Sequence, residues 1–151
     1  LHENTHDRPT STHQKNNDKS GHYKVLYTNA DQFPNKREDL IMMIADDTLD
    51  IILITEAIPK AQVPLTTARL SIPGFLTYTN FNPDQANLGA SGMRGIIALI
   101  ADSVQAVEST APVSDFKEQL WLDIKLRNKD VLRLGCIYRS PSGQRHTCDM
   151  H

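Results

Sequence analysis

Two short apolar runs stand out along this chain, at positions 51–54 and 96–100. Both are unbroken and rich in isoleucine, which predicts strands buried on both faces. Positions 24–28 predict a strand that ends at Asn29, and positions 76–81 alternate as a further strand would. The pattern therefore indicates a sheet with at least two fully buried strands.

Between the first two predicted strands, apolar residues recur at helical spacing. Asn35 is the predicted N-cap of this helix, with Glu38 three residues later, and residues 46–48 are predicted to end it. The apolar stripe of this helix consists of Leu40, Ile41, Ile44 and Ala45. A second, short helix is predicted later in the chain, over residues 65–70. Strand, helix and strand in this order predict a βαβ unit with parallel strands.

A hairpin is predicted after a weakly patterned stretch at residues 101–118. Apolar and polar residues alternate over 120–126, a polar turn follows at 127–130, and the return strand is predicted over 131–138. One face of the return strand carries Leu132, Leu134, Cys136 and Tyr138.

The two ends of the chain differ in composition from its middle. Residues 1–22 are almost devoid of apolar side chains and are predicted to be disordered, because they bury nothing that would offset the chain entropy. Residues 143–151 have no periodicity and are predicted to be unstructured. The chain starts with Leu1 rather than Met, which indicates a fragment. A single domain is predicted over residues 23–142.

Charge and cysteine content exclude some classes of protein. The formal net charge is -2, so the chain lacks the basic excess of a dedicated nucleic-acid-binding protein. Two cysteines are too few for a disulfide framework, which fits an intracellular, reducing compartment. No apolar stretch approaches the roughly 18 residues that a membrane span needs, so no membrane association is predicted.

Two polar residues mark the ends of the predicted parallel strands. Asn29 ends the first strand and Glu56 ends the second. Ligands of open α/β sheets bind beyond the carboxyl ends of parallel strands, which is where these side chains are expected. One carboxylate and one amide suit Mg²⁺, which prefers oxygen ligands, although both residues also occur as simple solvated strand ends.

Five segments in order resemble the endonuclease domain of non-LTR retrotransposons. That domain belongs to the endonuclease/exonuclease/phosphatase superfamily, and the resemblance covers residues 24–142. The segments are Tyr27-Thr28-Asn29-Ala30, residues 50–56, residues 92–98, residues 120–124 and residues 135–142.

The resemblance implies roles for individual residues. Glu56 corresponds to the metal-binding glutamate, and Asn29 to the asparagine near the metal and the scissile phosphate. Tyr138 corresponds to a tyrosine that contacts the phosphate, and the adjacent Arg139 is a candidate contact to the DNA backbone. The implied cofactor is Mg²⁺, with Mn²⁺ as the alternative ion. The implied partners are DNA, as a transient substrate of the intact domain, and either the missing C-terminal half or a reverse transcriptase of the parent protein. The implied location is the nucleus.

The fold expected from the resemblance is α/β. Specifically, the chain is expected to be an incomplete, one-sheet half of the four-layer α/β sandwich of this superfamily. The family's later Asp-x-Asn and Ser-Asp-His motifs do not follow Tyr138, so the expected chain is truncated and inactive alone. A sheet with one uncovered face would also be poorly soluble.

Two other functions remain open at this point. One is a phosphatase of the same superfamily that acts on a phosphoinositide-like substrate. The other is a non-catalytic remnant that binds nucleic acid or protein, or has no function. The glycine-rich loop at residues 89–95 is interpreted as a tight turn without a functional role.

Overall fold

A computed structural model describes residues 22–60, 64–86, 88–112 and 115–141. Apart from His22, the predicted disordered tail lies outside these residues, as does the predicted unstructured end. The strands are β1 (Val25–Asn29), β2 (Ile51–Thr55), β3 (Phe75–Thr79), β4 (Ile96–Ala101), β5 (Gln105–Glu108), β6 (Glu118–Lys125) and β7 (Val131–Tyr138), and the helices are α1 (Phe33–Asp46) and α2 (Thr67–Leu70). In the described segments, no helix has both the length and the apolar character needed to cross a membrane.

The strands form two sheets. The first has the order β1-β2-β4-β3 and the second the order β5-β6-β7. β1 and β2 are parallel neighbours, which confirms the predicted βαβ unit, whereas every other pairing is antiparallel. The predicted α/β class is confirmed at this coarse level, as a mixed architecture with two sheets and few helices.

The central strands of the first sheet separate two apolar clusters. On one side, Ile52 and Ile54 of β2 pack with α1 and α2 residues such as Leu40 and Leu70. On the other side, Ile51 and Leu53 lie in a cluster with side chains of the second sheet. All five residues of β2 are buried, as the unbroken apolar run predicts.

The expectation of a single sheet with an uncovered face is wrong. Leu120, Leu122 and Ile124 alternate along β6 and point into the cluster between the two sheets. β5, which lies in the stretch without a clear pattern, completes the second sheet beside β6. The Tyr78 hydroxyl of β3 donates to the Ala106 carbonyl of β5 at 3.0 Å and links the sheets directly. The hairpin thus covers the face that was expected to be bare.

Exposed apolar side chains remain at the outer strands. Val25 and Tyr27 of β1 are 49% and 59% exposed, and Val131 and Ile137 of β7 are 63% and 44% exposed. Poor solubility of the chain therefore stays a prediction, but its structural origin would lie in β1 and β7 rather than in the central strands.

Helix α1 begins two residues before the predicted cap at Asn35. Pro34 stands in the first turn, where its fixed φ favours the helix and its missing N–H costs nothing. Gln32 precedes the helix with no side-chain cap. Instead, the backbone N–H groups of Gln32 and Phe33 donate to the carbonyls of Glu56 and Ala57 at 2.8 and 2.9 Å. The start of α1 is thereby tied to the end of β2, and the helix ends at Asp46 within the predicted interval.

Candidate functional site

The carboxyl ends of β1 and β2 meet at one edge of the first sheet. Asn29 pairs with Thr55 in the strand register, and Glu56 follows directly. Asp31, Gln32 and Glu56 all have positive φ, at 41°, 85° and 52°. Each such non-glycine residue costs on the order of 1–3 kcal/mol, and strained residues of this kind cluster at functional sites. The backbone at this edge is therefore held in an unfavourable conformation by the surrounding fold.

Tyr138 reaches the same edge from the second sheet. Its hydroxyl donates to Glu56 Oε1 at 2.5 Å, a contact between residues 82 positions apart. The hairpin places it there, because Tyr138 ends β7 and pairs with Glu118 at the start of β6. The structure thus brings together Asn29, Glu56 and Tyr138, three of the four site residues that the sequence indicated.

Arg94 is a member of this site that the sequence interpretation missed. Its Nη2 lies 3.5 Å from Glu56 Oε2 and 3.6 Å from Asp31 Oδ1. The side chains of Arg94 and Glu56 are only 16% and 17% exposed, so solvent screens this ion pair weakly. The residue belongs to the 89–95 loop, and the interpretation of that loop as a mere tight turn overlooked it.

A signal in the sequence could have pointed to Arg94. It lies two residues before the buried run that forms β4, and β4 runs antiparallel to β2 so that Ile96 pairs with Thr55. Residues just before β4 therefore lie at the same sheet edge as residues just after β2. The backbone confirms this proximity, since the N–H of Ile58 donates to the Arg94 carbonyl at 2.7 Å.

A buried carboxylate fixes the backbone at Arg94. Glu118 Oε1 accepts hydrogen bonds from the N–H groups of Arg94 and Gly95 at 3.0 and 2.8 Å. Gly95 has a φ of +78°, and a Cβ there would lie 2.6 Å from Ile58 Cγ1, so the position requires glycine. The loop is thus held from both sides, and the position of the Arg94 Cα is defined by the fold.

The contacts shift the pKa values of both partners in the central hydrogen bond. The hydrogen bond from Tyr138 lowers the pKa of the Glu56 carboxyl below its ordinary value, whereas burial raises it. A hydrogen bond from Asn29 lowers this pKa further, as do the positive charges of Arg94 and Lys60. Burial raises the pKa of Tyr138 to about 12, and the hydrogen bond to Glu56 and its negative charge add to the increase. At neutral pH the pair is therefore an ionised carboxylate and a neutral phenol.

We expect Glu56→Gln to lower the pKa of Tyr138, because the substitution removes the neighbouring negative charge that disfavours the phenolate. Ultraviolet absorbance of tyrosinate during an alkaline titration measures this, and Tyr138→Phe identifies which transition belongs to Tyr138. A Tyr138 transition at the same pH in the wild type and in Glu56→Gln would show that the two side chains are not coupled.

Asn29 and the fourth predicted residue, Arg139, are both exposed. The exposed Asn29 accepts a hydrogen bond at Oδ1 from the N–H of Asp31, at 3.0 Å. Arg139 is exposed and follows β7 by one residue.

The oxygen donors at this edge are of the type that Mg²⁺ takes. Glu56, Asn29 and Asp31 supply two carboxylates and an amide, and Mg²⁺ often binds through one or two carboxylates with waters and substrate phosphate. In the part of the chain that the structure describes, no group of three or more His, Cys, Asp or Glu side chains is placed to hold a metal. The donor set fits Mg²⁺ in chemical type, with the Arg94 guanidinium beside the same oxygens.

The chain matches no protein-family model, and no curated protein matches it.

Proposed function

We propose that this chain carries part of the active site of a Mg²⁺-dependent DNA phosphodiesterase, of the endonuclease type found in non-LTR retrotransposons. The observation that carries the proposal is the contact between Glu56 and Tyr138, since residues 82 positions apart converge on the edge where Asn29 also lies. Coupled side chains with shifted pKa values at the end of a parallel strand pair are typical of functional sites. The four-layer fold of that superfamily is part of the same proposal.

In this proposal Glu56 and Asn29 hold Mg²⁺ or Mn²⁺, with Asp31 as a second carboxylate. A divalent ion bound there supplies a Lewis acid that stabilises charge on a phosphoryl oxygen. Tyr138 positions Glu56 through its hydroxyl in the free protein. Because its pKa is about 12, the phenol remains protonated at neutral pH and is a hydrogen-bond donor for a phosphate oxygen.

DNA is the proposed substrate, and the charges of the chain favour brief rather than tight binding. The net charge of -2 gives little general attraction to the phosphate backbone. Local attraction would come from the exposed Arg139 beside the site. A nuclease that releases its substrate after one cut requires no stronger binding than this.

Divalent-ion binding by the 151-residue chain tests the proposal. Isothermal titration with Mn²⁺ should show a site whose affinity falls at least about tenfold in Glu56→Gln, because the substitution removes the carboxylate ligand that Mg²⁺ and Mn²⁺ favour. Glu108→Gln is the matched control, since Glu108 is an exposed residue of β5 away from the site. Equal binding by the wild type, Glu56→Gln and Glu108→Gln would refute the proposal.

A further inference from the structure

We infer that Arg94 is the resident cation of this site and competes with a divalent ion for Glu56 and Asp31. The inference rests on the proposed function and deepens it. Arg94, which the sequence did not indicate, thereby determines how tightly the site binds a divalent cation.

The position of the Arg94 guanidinium supports this inference. A single guanidinium nitrogen, Arg94 Nη2, lies 3.5 Å from a Glu56 oxygen and 3.6 Å from an Asp31 oxygen. Glu56 follows β2 and Asp31 follows β1, so the guanidinium lies between carboxylates from the two parallel strands. These are the oxygens that a metal ion at this sheet edge would use.

The second support is that the guanidinium is attracted by charge but poorly hydrogen-bonded. Nε and Nη2 of Arg94 are buried, and neither has a hydrogen-bond partner among the described residues. Both carboxylate distances lie beyond the usual N–H···O range of about 2.7–3.2 Å. Buried donors without acceptors are costly, so the Arg94 side chain is held less firmly than its burial suggests. A compact ion that bonds the same oxygens at about 2.0–2.1 Å is an effective competitor.

The third support is that only the Arg94 side chain needs to move. Glu118 fixes the backbone N–H groups of Arg94 and Gly95, and the Arg94 carbonyl accepts from Ile58. The main chain at this position therefore remains in place when the guanidinium leaves the two carboxylates. Tyr138 donates to the other Glu56 oxygen, Oε1, so its hydrogen bond does not involve the oxygen that Arg94 approaches.

The size of the effect follows from the charge that Arg94 places beside Glu56. Arg94 Nη2 places a positive charge 3.5 Å from the mostly buried Glu56 carboxylate, and opposite charges at this distance attract strongly where solvent screens them weakly. A divalent cation competes for the same oxygens. We therefore expect removal of the Arg94 charge to tighten Mn²⁺ binding at least about tenfold.

The test compares Arg94→Gln with Arg133→Gln in titrations of the full chain with Mn²⁺. Arg133 is 60% exposed and pairs with Asp123 at 3.0 Å on the second sheet, so its substitution changes the net charge equally without touching the site. Arg94→Gln should bind Mn²⁺ at least about tenfold more tightly than the wild type, whereas Arg133→Gln should stay within about twofold of it. Unchanged or weaker binding by Arg94→Gln overturns the inference.

A measurement on the wild-type protein keeps the inference testable if Arg94→Gln does not fold. The Arg94 Nε–H signal in a ¹⁵N spectrum, assigned by its loss in Arg94→Lys, should shift when Mg²⁺ is added. An unchanged signal at saturating Mg²⁺ overturns the inference.

The double variant Glu56→Gln/Arg94→Gln separates this inference from the proposed function. If Mn²⁺ binding depends on Glu56 but is the same with and without the Arg94 charge, only the role of Arg94 fails. If the Glu56→Gln substitution removes no Mn²⁺ binding, either from the wild type or from Arg94→Gln, the proposed metal site fails as well. Tight binding by Arg94→Gln that is lost in the double variant supports both.

Discussion

Leu122→Ala should lower the free energy of unfolding by about 3 kcal/mol, within the usual range for a buried leucine. Leu122 is 1% exposed and lies in the apolar cluster between the two sheets. The loss has two parts, the transfer of the removed methine and two methyl groups and the cavity left between the sheets. Urea denaturation followed by tryptophan fluorescence measures it, since the indole of Trp121 lies on the same strand.

Leu132→Ala is the matched control for this prediction. It makes the same chemical change in the same sheet, but Leu132 is 43% exposed on β7. Its cost should stay below about 1 kcal/mol, because little apolar surface is lost from the interior. Equal losses in the free energy of unfolding for Leu122→Ala and Leu132→Ala would contradict the packing of the hairpin against the first sheet.

Glu118→Ala should also cost about 3 kcal/mol, although the residue is charged. Its buried Oε1 accepts from two backbone N–H groups, those of Arg94 and Gly95. Truncation leaves both donors unpaired in a buried place, at about 1–3 kcal/mol for each unsatisfied group. Denaturation curves for the wild type and the variant measure the difference.

Glu118→Gln distinguishes the hydrogen bonds from the charge. Both bonds end on the same oxygen, and a glutamine carbonyl retains an acceptor there. We expect Glu118→Gln to recover most of the stability that Glu118→Ala loses. A glutamine variant as unstable as the alanine variant would mean that charge, rather than acceptance by Oε1, holds the loop.

The central part of the fold was predictable because its signals are local. Two unbroken apolar runs identified β2 and β4, and the helical stripe before residue 46 identified α1. The start of α1 was not predictable in the same way, since its first N–H groups are satisfied by the carbonyls of Glu56 and Ala57 rather than by a side-chain cap. Contacts between distant segments leave no mark on local spacing.

The second sheet was underestimated for a related reason. Three of the four residues of β5 are exposed and the fourth is half-buried. This strand therefore lacks the alternation of apolar and polar residues that marks a half-buried strand. It forms a strand because β6 offers an edge beside it. Because the sequence pattern did not predict β5, the predicted hairpin alone did not indicate a second sheet.

The site was predictable in part. Asn29 and Glu56 follow from the rule that parallel strands present their carboxyl ends at one edge. Tyr138 was indicated by the resemblance alone, and its contact with Glu56 depends on how the second sheet packs on the first. Arg94 was missed because its closeness to Glu56 follows from its place before β4 only once β4 is known to pair antiparallel with β2.

The proposed function places a divalent ion at the carboxyl ends of β1 and β2. Paramagnetic broadening of backbone amide signals by substoichiometric Mn²⁺ locates the ion directly on the wild-type chain. The signals of Asn29, Asp31 and Glu56 should broaden first, and that of Asn128, in the turn at the far end of the hairpin, should remain sharp. Broadening centred elsewhere, for example on the acidic end of α1 at Asp46, would contradict a divalent-ion site at Glu56.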